Sequence, residues 1–345
     1  MKRKKIGWVL GVMVLAIVLV VPSVSRSLAV DLKNDCSLSF KLSDQEFADD
    51  LKGSDMVVDV YKVAAAIEDP NYDSYSFEAT EAFNKLGPAL SDLSSINYSA
   101  LSQQAAQIVA EGNVSPVTTV ALEDPASLEA GLYLTMPHNR GASLADSIKQ
   151  VAVGDGTNNV LTFVNTSLYQ YEFNPSLVAL PSRMGEDGSN NTSNNDVDWQ
   201  FDVDMTFKVS REYREGSIVI NKTVDKLFGS GTPTFVFNIT AERNGEIVYA
   251  NVEMISLSDS ENGSVTLSGI PAGSTVTVEE VYTGASYTLS SGTGPLVLEN
   301  ADEPLQFDFV NVSKDTDTHQ TTVNNRYTYD ENGERHVNNG QEENE

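Results

Sequence analysis

A single cysteine, Cys36, occurs in 345 residues, so no disulfide can form within the chain. Histidine is almost as scarce. His138, His319 and His336 stand far apart with no second ligand at metal spacing, and no CxxC, GxSxG, P-loop or GxGxxG is present. No metal, no cofactor and no enzymatic turnover are therefore expected. Basic residues are also short, 22 Lys and Arg against 49 Asp and Glu, for a formal charge of -27. Nucleic acid and anionic lipid both require clustered cations, so neither is an expected partner. Acidic groups such as Asp196 with Asp198, or Asp315 with Asp317, lack the spacing and glycine of a calcium loop and read as charged surface.

Long apolar runs are absent except at the start, where MKRKK precedes an apolar stretch over 6–21 and Ser27 and Ala29 offer the small residues of a cleavage site. That order reads as a signal peptide over 1–29 and an exported chain, with an uncleaved N-terminal membrane anchor as the alternative. A protein bound for an oxidising environment without a disulfide needs another reinforcement or none.

The full sequence is 40% hydrophobic, and the chain beyond residue 29 is long enough for two cores. The expected fold class is mainly β: a β-rich N-terminal domain with helical insertions over 30–215, then a β-sandwich over 216–314, then a polar tail over 315–345. In the first domain, strands are expected at 36–42, 56–63, 117–122, 131–136, 159–165 and 169–173, with short Ala-rich helices at 78–90 and 99–112. GEDGSNNTSNND at 185–196 has no apolar residue and reads as a loop. The stretch 198–208 alternates strictly, with Trp199, Phe201, Val203, Met205 and Phe207 on one face and Lys208 on the other, toward solvent. In the second domain, seven short strands separated by turns such as Asn244-Gly245 and Pro271-Ala272-Gly273 read as a sandwich. In the tail, Tyr327 and Tyr329 before DENGERHV read as a small hairpin.

Three strands of the second domain break their own alternation in the same way. Ile218 and Ile220 share a face with Lys222, Val276 and Val278 share one with Glu280, and Phe307 and Phe309 share one with Asn311. Burial favours the neutral forms of amine and acid alike. A neutral amine beside a carboxamide is a nucleophile beside an electrophile, and a carboxyl between them can shuttle protons, so Lys222 and Asn311 are the candidates for an amide crosslink with Glu280 as its catalyst. Glu279 is the alternative carboxyl if a bulge shifts the strand. Against this stands the ordinary reading, a snorkelling lysine and polar residues at strand ends.

GSIVINKTV, IPAGSTVTVEEV and FDFVNVSK resemble the Cna protein B-type domain, a prealbumin-like, Ig-like sandwich of Gram-positive surface proteins and pilins. The resemblance implies an internal isopeptide bond between Lys222 and Asn311 assisted by Glu280. The first domain resembles backbone pilins, whose WxxxVxVYPK motif carries the lysine that accepts a sortase-made bond. Trp199, Val203 and Lys208 match that spacing, while Thr206-Phe207 replaces Tyr-Pro. The resemblance implies a Gram-positive cell-surface protein of pilin or adhesin type, with other surface or pilin subunits as partners through a sortase at Lys208. The alternative is a secreted or membrane-tethered module or stalk with a host or neighbouring-cell ligand and no polymerisation. The tail shows no LPxTG-type sorting signal, and Lys41 and Asn165 are the candidates for a further crosslink in the first domain.

Overall fold

A computed structural model describes residues 30–69, 72–91, 97–112, 114–153, 158–183, 199–227 and 231–314, with the backbone of Arg326–Tyr329 and Arg335–Asn338. The segment read as signal or anchor, the loop expected at 185–196 and most of the tail lie outside the described residues.

The chain is mainly β, as the alternation implies. β1 (Cys36–Leu42) and α1 (Gln45–Lys52) lead into β2 (Met56–Glu68) and β3 (Tyr75–Ala79). α2 (Gly87–Leu90) and α3 (Tyr98–Ala110) follow, then β4 (Thr118–Ala121), β5 (Ala126–Leu128), β6 (Gly131–Asn139), β7 (Ile148–Ala152), β8 (Asn158–Asn165), β9 (Tyr169–Phe173) and β10 (Ser176–Leu180). β11 (Asp202–Phe207) and β12 (Val209–Tyr213) complete three sheets, ordered β11-β1-β5, β10-β6-β2-β3 with β4 on β2, and β12-β9-β8-β7. Two clusters of buried side chains fill the space between them, one around Phe40, Tyr171 and Phe207 and one where α3 packs Leu101, Ala105 and Val109 beside Leu134.

Three expectations need correction here. The helix expected over 78–90 is instead the end of β3, a 3-10 turn over Glu81–Leu86 and the single turn of α2. Pro88 has no amide hydrogen to give to a preceding carbonyl, so it starts a helix rather than continuing one. The regular strand expected over 198–208 is shorter: β11 begins at Asp202, and Gln200 bridges Ser182 instead. α1 was not expected, yet Asp44 caps it by accepting the amide hydrogens of Glu46 (2.9 Å) and Phe47 (3.4 Å).

The described residues between Glu215 and Ser313 form two facing sheets. β13 (Glu215–Val224), β14 (Thr234–Arg243), β15 (Glu246–Ser256), β16 (Asn262–Pro271), β17 (Thr275–Tyr282), β18 (Tyr287–Gly292), β19 (Leu296–Val297) and β20 (Leu305–Ser313) assemble in the orders β16-β13-β20-β18 and β15-β14-β17-β19. Asn244 and Gly245 take φ of 54° and 81°, the left-handed pair that a two-residue hairpin turn between β14 and β15 demands. Inward side chains alternate strictly, and Phe235, Phe237, Ile239, Phe307 and Phe309 form the centre of the sandwich. In the tail, Arg326–Tyr329 and Arg335–Asn338 pair as an antiparallel hairpin, where 327–337 had suggested one.

The two halves touch through a polar seam. Arg214, between β12 and β13, donates to Thr166 O (2.7 Å) and to both carboxylate oxygens of Asp302. Arg243 lies over the Tyr213 ring at 3.6 Å.

Candidate functional site

β13 is the middle of its sheet, flanked antiparallel by β16 and parallel by β20. Its inward residues are Ile218, Ile220 and Lys222, and the parallel register sets Lys222 opposite Phe309 and Val224 opposite Asn311. Lys222 and Asn311 are therefore diagonal neighbours on one inward face. Glu280 reaches them from β17 in the opposing sheet, where Val276 and Val278 lie beneath it on the same face.

Lys222 and Asn311 are both 0% exposed, and Glu280 is 8% exposed with its side chain fully covered. Lys222 Nζ lies 3.1 Å from Glu280 Oε2, and Asn311 Nδ2 donates to Glu280 Oε1 at 2.7 Å and to Thr283 O at 3.1 Å. One carboxylate thus bridges the amine and the carboxamide nitrogen. The Phe235 ring lies 4.7 Å from Lys222 Nζ, and Phe237 packs on Phe309 with centroids 5.1 Å apart, so the walls are aromatic. Burial pulls the Lys222 amine below its usual range, and the hydrogen bond and charge of Glu280 only partly offset it.

Asn311 Oδ1 is buried without a hydrogen-bond partner. An orphaned buried acceptor costs about 1–3 kcal/mol. The amide nitrogen, not the oxygen, is turned to Glu280, because Thr283 O stands on the same side and accepts a donor. Glu279, the alternative carboxyl, is exposed on the outer face of β17. A bulge does occur in β17, but it falls beyond Glu280, where Val236 pairs with Tyr282 and Phe237 with Glu280, and so leaves the inward parity of Glu280 intact.

The other candidates are placed separately. Lys208 is exposed in the one-residue break between β11 and β12, while Val203 is buried in β11 against the β1 register. Trp199 lies outside the strand: its Nε1 donates to Asp73 Oδ1 (2.8 Å) and its ring packs against Tyr75 (centroids 5.2 Å) and Arg183 (5.1 Å). Lys41 and Asn165 do not meet. Lys41 is exposed and paired with Asp204, whereas Asn165 lies in a different sheet and accepts from Gln170 Nε2 at 3.1 Å. Cys36 is buried, and that burial, with Asp35 and Asp202 nearby, pushes its thiol up to about 11, so it is an inert core residue.

Sequence reasoning missed one buried polar group, Asp59 with His138. Their side chains lie 3.3 Å apart (Asp59 Oδ2 to His138 Nε2), and Tyr61 and Thr119 donate to the same carboxylate at 3.0 and 2.5 Å. The signal was present in MVVDVYKV, an aspartate inside an otherwise apolar strand.

Among protein-family models, one described as a domain of unknown function, DUF5979, matches residues 218–328, a span that contains Lys222, Glu280 and Asn311. No curated protein matches the chain. Solved structures similar to it include the Bacillus anthracis TIE protein, at 12% identity over 88% of this chain and 40% of that one with a TM-score of 0.25. GBS52, a minor pilin of Streptococcus agalactiae, is 11% identical over 82% and 98% with a TM-score of 0.23. The shaft pilin SpaA of Lactobacillus rhamnosus GG is 12% identical over 82% and 98% with a TM-score of 0.26. The chain thus spans less than half of the first of these. Likenesses of this degree leave the side-chain geometry of the sandwich to stand by itself.

Proposed function

We propose that this chain is an exported structural protein of the bacterial cell surface, of pilin or adhesin type, whose second domain reinforces itself with an amide bond between Lys222 and Asn311. The observation that carries the reading is the dry contact of amine, carboxyl and carboxamide from three strands. Burial lowers the proton affinity of Lys222, so its ammonium proton passes to Glu280 Oε2 and leaves a neutral nucleophile. Nζ attacks Asn311 Cγ, and the Glu280 carboxyl, whose Oε1 lies 2.7 Å from Nδ2, gives the proton it has taken up to that nitrogen as the Cγ–Nδ2 bond breaks. Ammonia leaves, the second proton shed by Nζ stays on Glu280, and the products are a secondary amide and a neutral carboxylic acid beside it. This is one self-reaction, not turnover. It replaces a buried ion pair, whose desolvation is costly, by a neutral group.

A covalent tie inside a sandwich suits a chain that bears load without disulfides, and partners are accordingly other surface or pilin subunits. Lys208, exposed on the first domain, is the proposed acceptor for a sortase-made bond. Incubation with a pilin-class sortase and an LPxTG donor peptide tests this: an adduct lost in Lys208→Ala supports assembly, and no adduct favours a ligand-binding module or stalk. Among the described residues no helix is long and apolar enough to cross a membrane.

A further inference from the structure

Two acceptors hold the Asn311 carboxamide nitrogen, and they differ in kind. Glu280 Oε1, at 2.7 Å, belongs to a group that accepts as a carboxylate and donates once it has taken up a proton. Thr283 O, at 3.1 Å, is a backbone carbonyl and only accepts. The carboxyl therefore cannot fix which way the amide faces while it relays protons, because its neutral form donates equally well to Oδ1. Thr283 O can. With the amide turned over, Oδ1 would face that carbonyl, lone pairs against lone pairs, and Nδ2 would take the place where Oδ1 now lies without a partner.

A strand carbonyl lies in the plane of its own sheet, aimed at the next strand and not at the opposing sheet. Thr283 O reaches Asn311 because β17 ends one residue earlier, at Tyr282. The bulge between Glu280 and Tyr282 leaves both Val281 (55%) and Tyr282 (48%) exposed, and the chain turns inward again at the half-buried Thr283. Gly284 then takes a φ of 79°, and a Cβ there would meet Tyr287 Cδ2 at 3.2 Å and Phe235 Cε1 at 3.3 Å. The turn is tied down on several sides. Thr283 Oγ1 donates to Tyr287 O (3.3 Å), the Tyr287 amide donates to Gly284 O (3.4 Å), and the buried Tyr287 hydroxyl donates to Lys226 O (3.0 Å). Phe235, edge-on to Tyr287 with centroids 5.6 Å apart, is the same ring that lies beside Lys222 Nζ. One turn thus contacts the leaving nitrogen directly and the nucleophile through a single aromatic ring.

We propose that the turn Thr283–Tyr287 is the positioning element of the self-reaction: Thr283 O holds Nδ2 at Glu280 as the leaving group, and Gly284 and Tyr287 hold that carbonyl in place. The inference rests on the crosslink reading and adds to it the residues that give the reaction its direction. The nitrogen stays beside the proton it must receive wherever the proton is in its relay, and the ammonia formed departs against Thr283 O. No residue of the turn gives or takes a proton.

Gly284→Ala forces a strained φ and crowds Phe235 and Tyr287, whereas Tyr287→Phe removes only the tie to Lys226 O. In full-length chains sampled at intervals during cell-free synthesis, intact mass reads the loss of ~17 Da. That loss should slow by roughly tenfold or more in Gly284→Ala and by a smaller factor in Tyr287→Phe. Orientation is read separately in Lys222→Ala, which has no nucleophile. There the Asn311 Nδ2 protons should be protected from solvent exchange, and adding Tyr287→Phe should cut that protection while the backbone amides of β13 and β20 keep theirs, a pattern that a turn serving stability alone would not give. A parent chain that never loses ~17 Da sinks the crosslink reading and this inference with it. A parent that loses it while both variants react at its rate, or Nδ2 protons left unprotected in Lys222→Ala, overturns this inference alone. Should Gly284→Ala fail to fold, the rate in Tyr287→Phe and the Nδ2 protection decide.

Discussion

Glu280→Gln is the most informative single change, because it keeps the shape of the side chain and removes its ability to carry protons between Lys222 and Asn311. Without the amide bond, the segment between those positions, about 89 residues, is released in the unfolded state. By the chain-entropy relation for a closed loop of that length, the lost stabilisation is ~4–5 kcal/mol. The variant also leaves a buried amine facing a neutral amide, which adds to the loss unless Lys222 sheds its proton, as its lowered proton affinity allows. For a domain of this size each kcal/mol moves the melting temperature by about 4–8 °C, so the sandwich transition should fall by on the order of 20–30 °C. Scanning calorimetry reads the shift, and intact mass reports in the same sample whether the bond formed. A variant that lacks the bond yet melts within a few degrees of the parent would refute the argument that the link reinforces the sandwich.

Other outcomes follow from the same structure. Burial alone would pull His138 down, but the hydrogen bond and charge of Asp59, with backbone carbonyls of Asn139 and Ala142, hold it above the ordinary 6.5. Its contribution to stability is therefore present below about 6.5 and lost as pH rises through the higher folded value, so His138→Gln should flatten the denaturation midpoint across that window. Asp59 is likewise desolvated, yet His138, Thr119 and Tyr61 hold its pKa down; stability from it is lost only as pH falls below the ordinary 3.8. Arg214→Ala removes donors to Thr166 O and Asp302 at the seam and should separate the two halves into distinct calorimetric transitions, at a cost of about 1.5–3 kcal/mol. Gly263 stands opposite Lys222, and a Cβ there would meet Leu257 at 2.7 Å and Ile255 at 2.9 Å, so Gly263→Val should destabilise the sandwich by ~1–3 kcal/mol in urea titration.

The sandwich was legible because its strands are short, amphipathic and separated by turn chemistry, so parity alone set Lys222, Glu280 and Asn311 inward. Parity gives the face but not the atoms. That Asn311 turns its nitrogen rather than its oxygen to Glu280 depends on Thr283 O, which comes from the residues just after β17 and has no signature in sequence. The first domain was less legible for a different reason. β2 is buried along most of its length, so its composition gives no period, and its register with β6 is set by packing on both faces. Trp199 shows the limit of alternation: the pattern over 198–208 is perfect on paper, but the indole finds Asp73, Tyr75 and Arg183, and the chain leaves the ladder to reach them. The three-residue strand β5 and the β7 edge, exposed along most of its length, carry too few apolar residues to announce themselves.

Mass spectrometry of the purified protein tests the central claim most directly. The account predicts a chain ~17 Da lighter than the formula for its observed N-terminus, with a branched peptide joining the segments of Lys222 and Asn311, and formula mass restored in Lys222→Ala. A wild-type chain at its full formula mass, with those two peptides recovered separately, would contradict it.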